Sequence, residues 1–321
     1  MKRFVCALIV ALTFGGPAFA APRPPESVRQ AVQDRIDAAM APDPGDVDDS
    51  GEPYDPPDAL AGPKMFKRVE VNNDGVADWR VNFEQAPNPS YFCGTGGCRQ
   101  QIFVSNPRGG FDLAMDTQVR LFKLRHKRGQ TLLDVDFHGS VCGGFGVDDC
   151  PRGYVWSVAE ARFVARVDPG AQAFLIGGPV WLTTPSRASL PSAVEAAFAE
   201  RAARCAAAGR DYPYDEAYLT EVGDLNADGR ADWVVGGAYD GCAYREEAAA
   251  APRFDLTVLV SGPDGYHSAL NSDVTTWGLD MADGKARFVT LEGDDCGLNG
   301  KDCPKTYWRW DGQALVRQPL P

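Results

Sequence analysis

The sequence predicts an α+β protein made of two tandem related units. Each unit is expected to pack an N-terminal helix on a mostly antiparallel β-sheet and to carry loops clasped by disulfides. Three observations support this prediction: an internal duplication, one segment with helical periodicity at the start of each copy, and a series of short strand-like segments after each helix.

Three motifs of the first half recur in the second half at a nearly constant distance. The acidic loop EVNNDGVADWRV begins at Glu70, and its counterpart DLNADGRADWVV begins at Asp224, 154 positions later. Cys142 and Cys296 are also 154 positions apart, and the segment IFVSNPRGGF matches VLVSGPDGYH. A constant offset across several motifs indicates a duplicated unit.

The duplication divides the chain into a signal peptide over 1–20, a first unit over 21–176, a linker over 177–188 and a second unit over 189–321. Within the first unit, residues 41–63 are rich in Asp, Pro and Gly and contain few large apolar side chains. Such a segment buries too little surface to offset the entropy lost on ordering, so it is predicted to be a mobile loop.

Each unit is predicted to begin with an amphipathic helix. The segments ESVRQAVQDRIDAAM and SAVEAAFAERAARC carry apolar side chains at helical spacing, which predicts one buried face on each helix. The side chains predicted on these faces are Val28, Val32, Ile36 and Met40 in the first helix and Val194, Phe198, Ala202 and Cys205 in the second.

Short strand-like segments separated by Gly, Pro, Asn and Asp follow each helix. They include DWRVNF, QQIFVS and LLDVDFHG in the first unit and DWVVGG, FDLTVLVS and ARFVTLEG in the second. Their alternation of apolar and polar side chains predicts antiparallel sheets with one face packed on the core and the other exposed.

The N-terminal segment has the composition of a secretory signal. Lys2 and Arg3 precede an apolar run, and Ala18-Phe19-Ala20 forms the small-residue pattern of a cleavage site. The run is shorter than the about 20 apolar residues that a membrane-spanning helix needs. The sequence therefore predicts a periplasmic or secreted protein without a transmembrane segment.

The chain is acidic, with 32 basic and 44 acidic residues and a net charge of −12. Removing residues 1–20, which contain two bases and no acid, leaves 30 basic and 44 acidic residues and a net charge of −14. Such a surface repels nucleic-acid phosphates and favours divalent cations and basic partners. We expect a monomer that does not bind nucleic acid.

Eight of the nine cysteines lie outside the signal segment, and an even number in an exported chain predicts disulfides. Zinc would need close C-x-x-C pairs, which the sequence lacks. Eight cysteines allow 105 pairings, of which a local scheme is expected, and its glycine-rich clasped loops could also form a recognition surface. The expected pairs are Cys93–Cys98, Cys142–Cys150, Cys296–Cys303 and, by elimination, Cys205–Cys242.

The second acidic loop places oxygen-bearing side chains at alternate positions and then turns on a glycine. Asp224, Asn226 and Asp228 occupy positions 1, 3 and 5, Gly229 follows, and Asp232 lies at position 9. Calcium takes about six to eight oxygen ligands from carboxylates, amides and carbonyls. Alternation lets a tight loop direct successive oxygens inward, so the pattern predicts a calcium site at the entry to a strand.

This loop resembles the D-x-[DN]-x-D-G-x-x-D calcium loops of FG-GAP repeats and, more distantly, of EF-hand proteins. The resemblance implies ligation by the side chains of Asp224, Asn226, Asp228 and Asp232 and by the carbonyl of Arg230. An EF-hand carries a bidentate Glu at position 12, whereas this chain has a valine there, which favours a loop that leads into a strand. The order of motifs also resembles exported bacterial proteins with a duplicated cysteine-containing domain, which implies an architecture and no activity.

The upstream copy has Glu70, Asn72, Asp74, Val76 and Asp78 in the same frame, with the carbonyl at position 7 as the backbone ligand. Glu at position 1 is longer than Asp, so the copy marks the duplication first and a second calcium site only if the longer side chain fits. The alternative for both loops is an Asx-turn without metal, whose side-chain oxygens accept hydrogen bonds from backbone N–H groups.

The sequence contains no G-x-S-x-G elbow, H-E-x-x-H pair or phosphate-binding glycine loop, and we expect no catalytic residues. Asp134, Asp136 and His138 alternate along one segment and so share a strand face, where they could bind a metal or serve acid–base chemistry. We favour the alternative, a solvated polar face.

The expected function is an exported calcium-binding module for an envelope protein or polymer. The alternatives are a carboxylate-based hydrolase and an inhibitor that inserts a clasped loop into an enzyme cleft.

Overall fold

The computed structural model describes most of both halves of the chain. The described residues are 23–41, 59–142, 146–166, 174–176, 182–183, 190–207, 209, 219–236, 254–274, 276–280, 287–291 and 303–318. The predicted signal segment, most of the acidic loop 41–63 and most of the linker 177–188 lie outside these residues, so these boundaries stay predictions.

The described residues of the N-terminal half form one α-helix and nine strands. These elements are α1 (Glu26–Met40), β1 (Phe66–Val69), β2 (Asp78–Asn82), β3 (Cys93–Gly94), β4 (Gly97–Ser105), β5 (Phe111–Val119), β6 (Leu121–Lys127), β7 (Gln130–Phe137), β8 (Cys150–Ser157) and β9 (Arg162–Arg166). Short 3-10 helices span Pro63–Met65, Phe83–Gln85, Pro89–Tyr91 and Gly139–Cys142.

After one further strand, β10, the remaining described elements repeat this order of one helix followed by strands. They are β10 (Phe174–Ile176), α2 (Ser192–Ala207), β11 (Leu219–Gly223), β12 (Asp232–Val235), β13 (Phe254–Gly262), β14 (Gly265–Val274), β15 (Thr276–Asp280), β16 (Arg287–Leu291), β17 (Lys305–Trp310) and β18 (Leu315–Arg317).

These strands form four antiparallel sheets, two in each half. Sheet A contains β1-β2-β4, with β3 and β5 both paired to β4, and sheet B has the order β6-β7-β8-β9. Sheet C has the order β11-β12-β13-β14, and sheet D has the order β10-β15-β16-β17-β18. Strand β10 precedes α2 in the chain but pairs with β15, so it completes a sheet of the second half.

The N-terminal half is built in three layers. Val32 and Ile36 of α1 pack with Trp79 and Phe103 on one face of sheet A. On the other face of sheet A, Ile102 belongs to a core that includes the facing side chains of sheet B. Sheet A is therefore covered on both faces, by the helix on one side and by the second sheet on the other.

The C-terminal half repeats these layers. Val194 and Phe198 of α2 pack with Trp233 on one face of sheet C. Val258 of the same sheet packs with Phe288 of sheet D on the other face. The duplication seen in the sequence thus corresponds to the same stacking of a helix on an inner sheet and of an inner sheet on an outer one.

The predicted fold class, α+β with one helix on one sheet in each of two units, is wrong. Among the described residues 50% lie in strands and 21% in helices, so the chain is mostly β, with four antiparallel sheets and two helices. The prediction assumed strands packed on one face only. The inner strands are instead buried on both faces, as in the unbroken burial of residues 100–105 on β4 and of Asp232–Val235 on β12.

The buried face of α1 consists of the four predicted residues, whereas that of α2 differs from the prediction at one position. Arg201, and not Ala202, is buried there, 3.5 Å from a carboxylate oxygen of Asp255. Gly236 has a φ of +109°, and a Cβ at this position would lie 2.6 Å from the Arg201 Nη2 atom. The glycine thus leaves room for the Arg201 guanidinium. Helical periodicity does not predict that this arginine is buried.

The disulfides Cys93–Cys98 and Cys142–Cys150 are confirmed. Cys205 and Cys303 are also disulfide-bonded, while their predicted partners at 242 and 296 lie outside the described residues. No helix in the described part of the chain is long and apolar enough to cross a membrane.

Truncating a side chain between the two sheets of the first half should destabilise the protein strongly. Leu133 of sheet B is fully buried, and a buried Leu→Ala change costs about 2–5 kcal/mol. Leu60 is 75% exposed, so the same substitution there should change the free energy of unfolding by about 0.5 kcal/mol or less. Urea denaturation measures both variants, and equal effects would contradict the two-sheet core.

Candidate functional site

The two acidic loops occupy equivalent places in the fold. Residues 70–77 connect β1 to β2, and residues 224–231 connect β11 to β12; each of these strand pairs is antiparallel. Each loop therefore lies at one end of an inner sheet. The strand that follows each loop is buried from its first residue.

The two loops also share their backbone conformation. Asn73 and Ala227 have φ values of 59° and 63°, and the glycines two positions later, Gly75 and Gly229, have φ values of 83° and 86°. Left-handed backbone is sterically unfavourable for residues other than glycine. Its occurrence at the same two positions in both loops shows that the sequence repeat is a repeat of structure.

A buried aspartate fastens the first loop to the inner sheet. Asp78 is fully buried, and its Oδ2 atom accepts a hydrogen bond from the Val71 N–H at 2.6 Å. Its Oδ1 atom accepts the Ser105 N–H at 2.8 Å and lies 3.0 Å from the Ser105 hydroxyl. Because Val71 opens the loop and Ser105 ends β4, a single carboxylate joins the loop to the neighbouring strand.

The second loop has the same arrangement, which we call the aspartate–serine clamp in both halves. Asp232 is fully buried and accepts the Leu225 N–H at 2.6 Å and the Ser261 N–H at 2.8 Å. The Ser261 hydroxyl lies 3.0 Å from the same carboxylate. The serines were not among the predicted site residues, although a serine recurs at this place in the repeated VSNP and VSGP segments.

Each clamp serine also contacts the outer aspartate at position 5. The Ser105 Oγ atom lies 2.7 Å from Asp74 Oδ2, and the Ser261 Oγ atom lies 2.9 Å from both carboxylate oxygens of Asp228. A hydroxyl carries one proton, so each serine shares that proton between the buried and the outer carboxylate. The carboxylates at positions 5 and 9 are therefore held close together in both loops.

The carboxylates at positions 5 and 9 of each loop have pKa values shifted in opposite directions. Burial raises the pKa of Asp78 and of Asp232 above the usual value, and hydrogen bonds from the clamp serines and from the loop N–H groups oppose the shift. The Ser105 hydroxyl lowers the pKa of Asp74. Desolvation acts to raise the pKa of Asp228, but hydrogen bonds from Arg230 and Ser261 outweigh it, so this pKa is also lowered.

The loops differ at position 1. In the second loop the Asp224 carboxylate accepts the N–H groups of Asp228, at 3.0 Å, and of Gly229, at 2.7 Å. In the first loop the Oε1 atom of Glu70 is buried and has no hydrogen-bond partner among the described residues. A buried carboxylate oxygen without a partner is costly, and a bound cation would satisfy it.

The loops also differ at position 7. The Arg230 guanidinium lies 3.2 Å from Asp228 Oδ2 and donates to the Gly262 carbonyl, so it places a positive charge beside the second loop. Val76 occupies this position in the first loop and its side chain is half exposed. The first loop therefore lacks this compensating charge.

In both loops the side-chain oxygens at positions 3 and 5 accept hydrogen bonds from backbone N–H groups two residues later, as the Asx-turn alternative predicts. No group of three or more His, Cys, Asp or Glu side chains in the described part of the chain is arranged to hold a metal ion. A calcium site here would therefore need the amide oxygens of Asn72 and Asn226 and the carbonyls at position 7, which suit a hard cation.

No protein-family model and no curated protein matches this chain. The interpretation of the acidic loops therefore rests on their geometry and on the resemblance of their sequence to calcium loops.

The second set of candidate residues lies on β7 and just after it. Asp134 forms ion pairs with Arg125 and with Arg166, the latter at 2.9 Å. Asp136 forms an ion pair with Arg120 at 2.7 Å. Both carboxylates are thus neutralised by guanidinium groups, which favours the interpretation of a polar strand face over a catalytic pair.

The two clasped loops of the first half meet at His138. The Thr95 Oγ1 atom, in the loop 93–98, lies 3.2 Å from His138 Nε2. Gly146, in the loop 142–150, is so close that a Cβ on it would lie 2.4 Å from the same nitrogen. The histidine ring therefore joins the two loops into one surface.

Removing a clamp carboxylate should destabilise the fold. Asp78→Ala leaves two buried N–H groups without an acceptor, each at a cost of about 1–3 kcal/mol, and Asp232→Ala should cost a similar amount. Asp112, whose side chain is 53% exposed in a surface ion pair with Arg108, is the control, and its replacement by Ala should cost about 1 kcal/mol or less. Urea denaturation measures all three, and a clamp variant no less stable than the control would contradict the clamp.

The carboxylates should titrate in a fixed order in calcium-free buffer. NMR titration of the carboxyl carbons should give a higher pKa for Asp78 than for Asp74 and a higher pKa for Asp232 than for Asp228. The reverse order in either loop would contradict the burial of its clamp carboxylate.

The raised folded pKa of Asp78 and of Asp232 also links stability to pH. Their contribution to the free energy of unfolding is present below the unfolded pKa and is lost as pH rises through the folded pKa.

Proposed function

We propose that this protein is an exported, disulfide-stabilised calcium-binding module that binds an envelope protein or polymer. The observation that carries the proposal is that both acidic loops, which resemble calcium loops in sequence, are held by the same aspartate–serine clamp. The clamp keeps two carboxylates of each loop close together. Like charges at short distance repel, and a divalent cation would offset that repulsion.

Each loop supplies a set of oxygen atoms. The first set consists of the side chains of Glu70, Asn72, Asp74 and Asp78 and the carbonyl of Val76; the second consists of the side chains of Asp224, Asn226, Asp228 and Asp232 and the carbonyl of Arg230. Bound calcium would supply the positive charge that holds these oxygens together. The unpartnered oxygen of Glu70 supports the first site, even though this residue departs from the sequence pattern.

The disulfides support export. Disulfides form and persist in oxidising compartments such as the periplasm and the extracellular space. Four cysteines pair locally in the first half, and two more are disulfide-bonded in the second. Together with the sequence of residues 1–20, this supports a periplasmic or secreted location.

A second candidate function is inhibition of an envelope hydrolase by the clasped loops. The juxtaposition of Thr95 and Gly146 at His138 favours it, because two crosslinked loops held together form a rigid surface. A rigid surface loses little conformational entropy when it enters a cleft.

Calcium should bind to the purified protein and stabilise it. Isothermal calorimetry should detect binding, and calcium at about 100 times its Kd should add about 2.7 kcal/mol of stability for each site, which a chelator removes. Asp74→Asn and Asp228→Asn should each remove one site, and the double variant should remove both. Asp112→Asn, which removes an exposed acid outside the loops, should leave binding unchanged.

Two outcomes would overturn the proposal. The first is the absence of both a binding heat and a calcium-dependent melting temperature in the unmodified protein. The second is binding that survives in the double variant, because the ion would then be held elsewhere.

A further inference from the structure

The outer edge of sheet B is unpaired in the part of the chain that the structure describes. Strand β6 pairs with β7 on one side, and no described strand pairs with its other side. An edge strand of this kind presents unpaired backbone N–H and C=O groups, which can form hydrogen bonds with an added strand.

One face of this edge is basic. Side chains alternate along a strand, and on β6 Phe122 and Leu124 pack against the core. Lys123, Arg125 and Lys127 therefore lie on the opposite face, and both lysines are exposed. We call these three residues, together with Arg128 in the following turn, the basic edge.

The turn extends the basic edge beyond the strand. Arg128 and Gly129 have φ values of 53° and 78°, as a two-residue hairpin turn of type I′ requires. Arg128 is exposed at the tip of the hairpin. The edge thus presents three cations, Lys123, Lys127 and Arg128, that are accessible to solvent.

These cations are not neutralised by the carboxylates of the same sheet. Asp134 lies directly opposite Lys123 in the β6–β7 register, but it is bound by Arg125 and Arg166. Arg166 reaches it across Gly153, where a Cβ would lie 3.0 Å from the guanidinium. No ion pair among the described residues reaches Lys123, Lys127 or Arg128.

The basic edge also contrasts with the rest of the chain. Residues 120–166 contain eight basic and five acidic side chains, whereas the whole chain has a net charge of −12. An acidic partner is therefore attracted to this part of the surface and repelled by most of the remainder.

We propose that the basic edge binds an extended acidic segment of a partner protein, which pairs with β6 as an additional antiparallel strand. Acidic side chains at alternate positions of that segment would lie opposite Lys123 and Lys127, and the backbone of β6 would supply the hydrogen bonds. The inference rests on the proposed function in that it names the partner class of the binding module.

Two observations favour an acidic strand over other occupants. A second copy of this chain would place the same cations opposite one another, which disfavours pairing between copies. Lipid head groups and anionic glycans lack the alternating N–H and C=O groups that an open strand edge recognises.

The edge is held in place before any partner binds. The Thr131 hydroxyl, on β7, donates to the Val71 carbonyl at 2.6 Å, and Asn73 Nδ2 lies 3.5 Å from the Gly129 carbonyl. The hairpin that carries the basic edge is thus packed against the first acidic loop. A preformed edge loses less entropy on binding than a flexible one.

A capped synthetic peptide of alternating Glu and Thr residues tests the proposal by fluorescence anisotropy in calcium-containing buffer. The unmodified protein should bind it, and Lys123→Glu combined with Lys127→Glu should weaken binding about tenfold or more, since two attractive pairs become repulsive. The matched control combines Lys67→Glu with Arg68→Glu, two exposed cations on the β1 edge of sheet A. The control changes the net charge equally and should alter the affinity by about twofold at most.

A second peptide, N-methylated at alternate residues, tests the backbone pairing. It keeps the charges and removes amide donors, so it should bind about tenfold more weakly or worse. Equal binding of both peptides, or equal effects of both double variants, would overturn the proposal. Preferential binding to phosphatidylglycerol vesicles or to an anionic polysaccharide would also overturn it.

Repeating the peptide titration with chelator separates this inference from the calcium proposal. If calcium calorimetry shows no binding while the peptide still binds at β6, the calcium function fails and the basic edge stands. If calcium binds and the peptide does not, the basic edge fails and the calcium function stands.

Discussion

The buried carboxylates of Asp78 and Asp232 are the constraint on which the acidic loops depend. Each accepts two backbone N–H groups, one from the loop that precedes it and one from the neighbouring inner strand. Without that acceptor, one N–H group of the loop and one of the strand end would have no hydrogen-bond partner. This one side chain joins the loop to the clamp serine, and the serine in turn contacts the outer carboxylate.

Both halves contain the buried aspartate, but the residues around it differ. Both halves have the same left-handed positions and the same clamp, but the first loop carries Glu70 with an unpartnered oxygen, whereas the second carries Asp224 with both oxygens bonded. Arg230 adds a positive charge to the second loop only. Under the calcium proposal, the unpartnered oxygen of Glu70 gives the first loop a free ligand atom. The sequence pattern alone ranks Asp224 above Glu70.

Local features of this chain were predictable from the sequence, because they depend on neighbouring residues. The helix Glu26–Met40 and its buried face follow from helical spacing, and the disulfides Cys93–Cys98 and Cys142–Cys150 agree with the expected local pairing. The fold class was not predictable in this way. Burial of β4 on both faces depends on a second sheet that is distant in the sequence, and the alternation in its neighbours suggested one packed face.

Parts of the candidate site were missed for a similar reason. Ser105 lies 27 positions after Asp78, so no local pattern connects the two, and only the recurrence of a serine in both repeats could have indicated the clamp. Arg201 was missed because a buried arginine depends on the space left by Gly236 and on the charge of Asp255. Gly236 and Asp255 come close to Arg201 only when the sheet is formed.

Terbium luminescence would show whether the clamped loops bind a hard cation. Terbium prefers oxygen ligands as calcium does, and Trp79 and Trp233 directly follow Asp78 and Asp232 in the chain, so a bound terbium ion would lie near a tryptophan. Excitation of tryptophan should give terbium emission that calcium displaces and that the Asp74→Asn, Asp228→Asn double variant lacks. Absence of sensitised emission in the unmodified protein, or equal emission from the double variant, would contradict cation binding by the clamped loops.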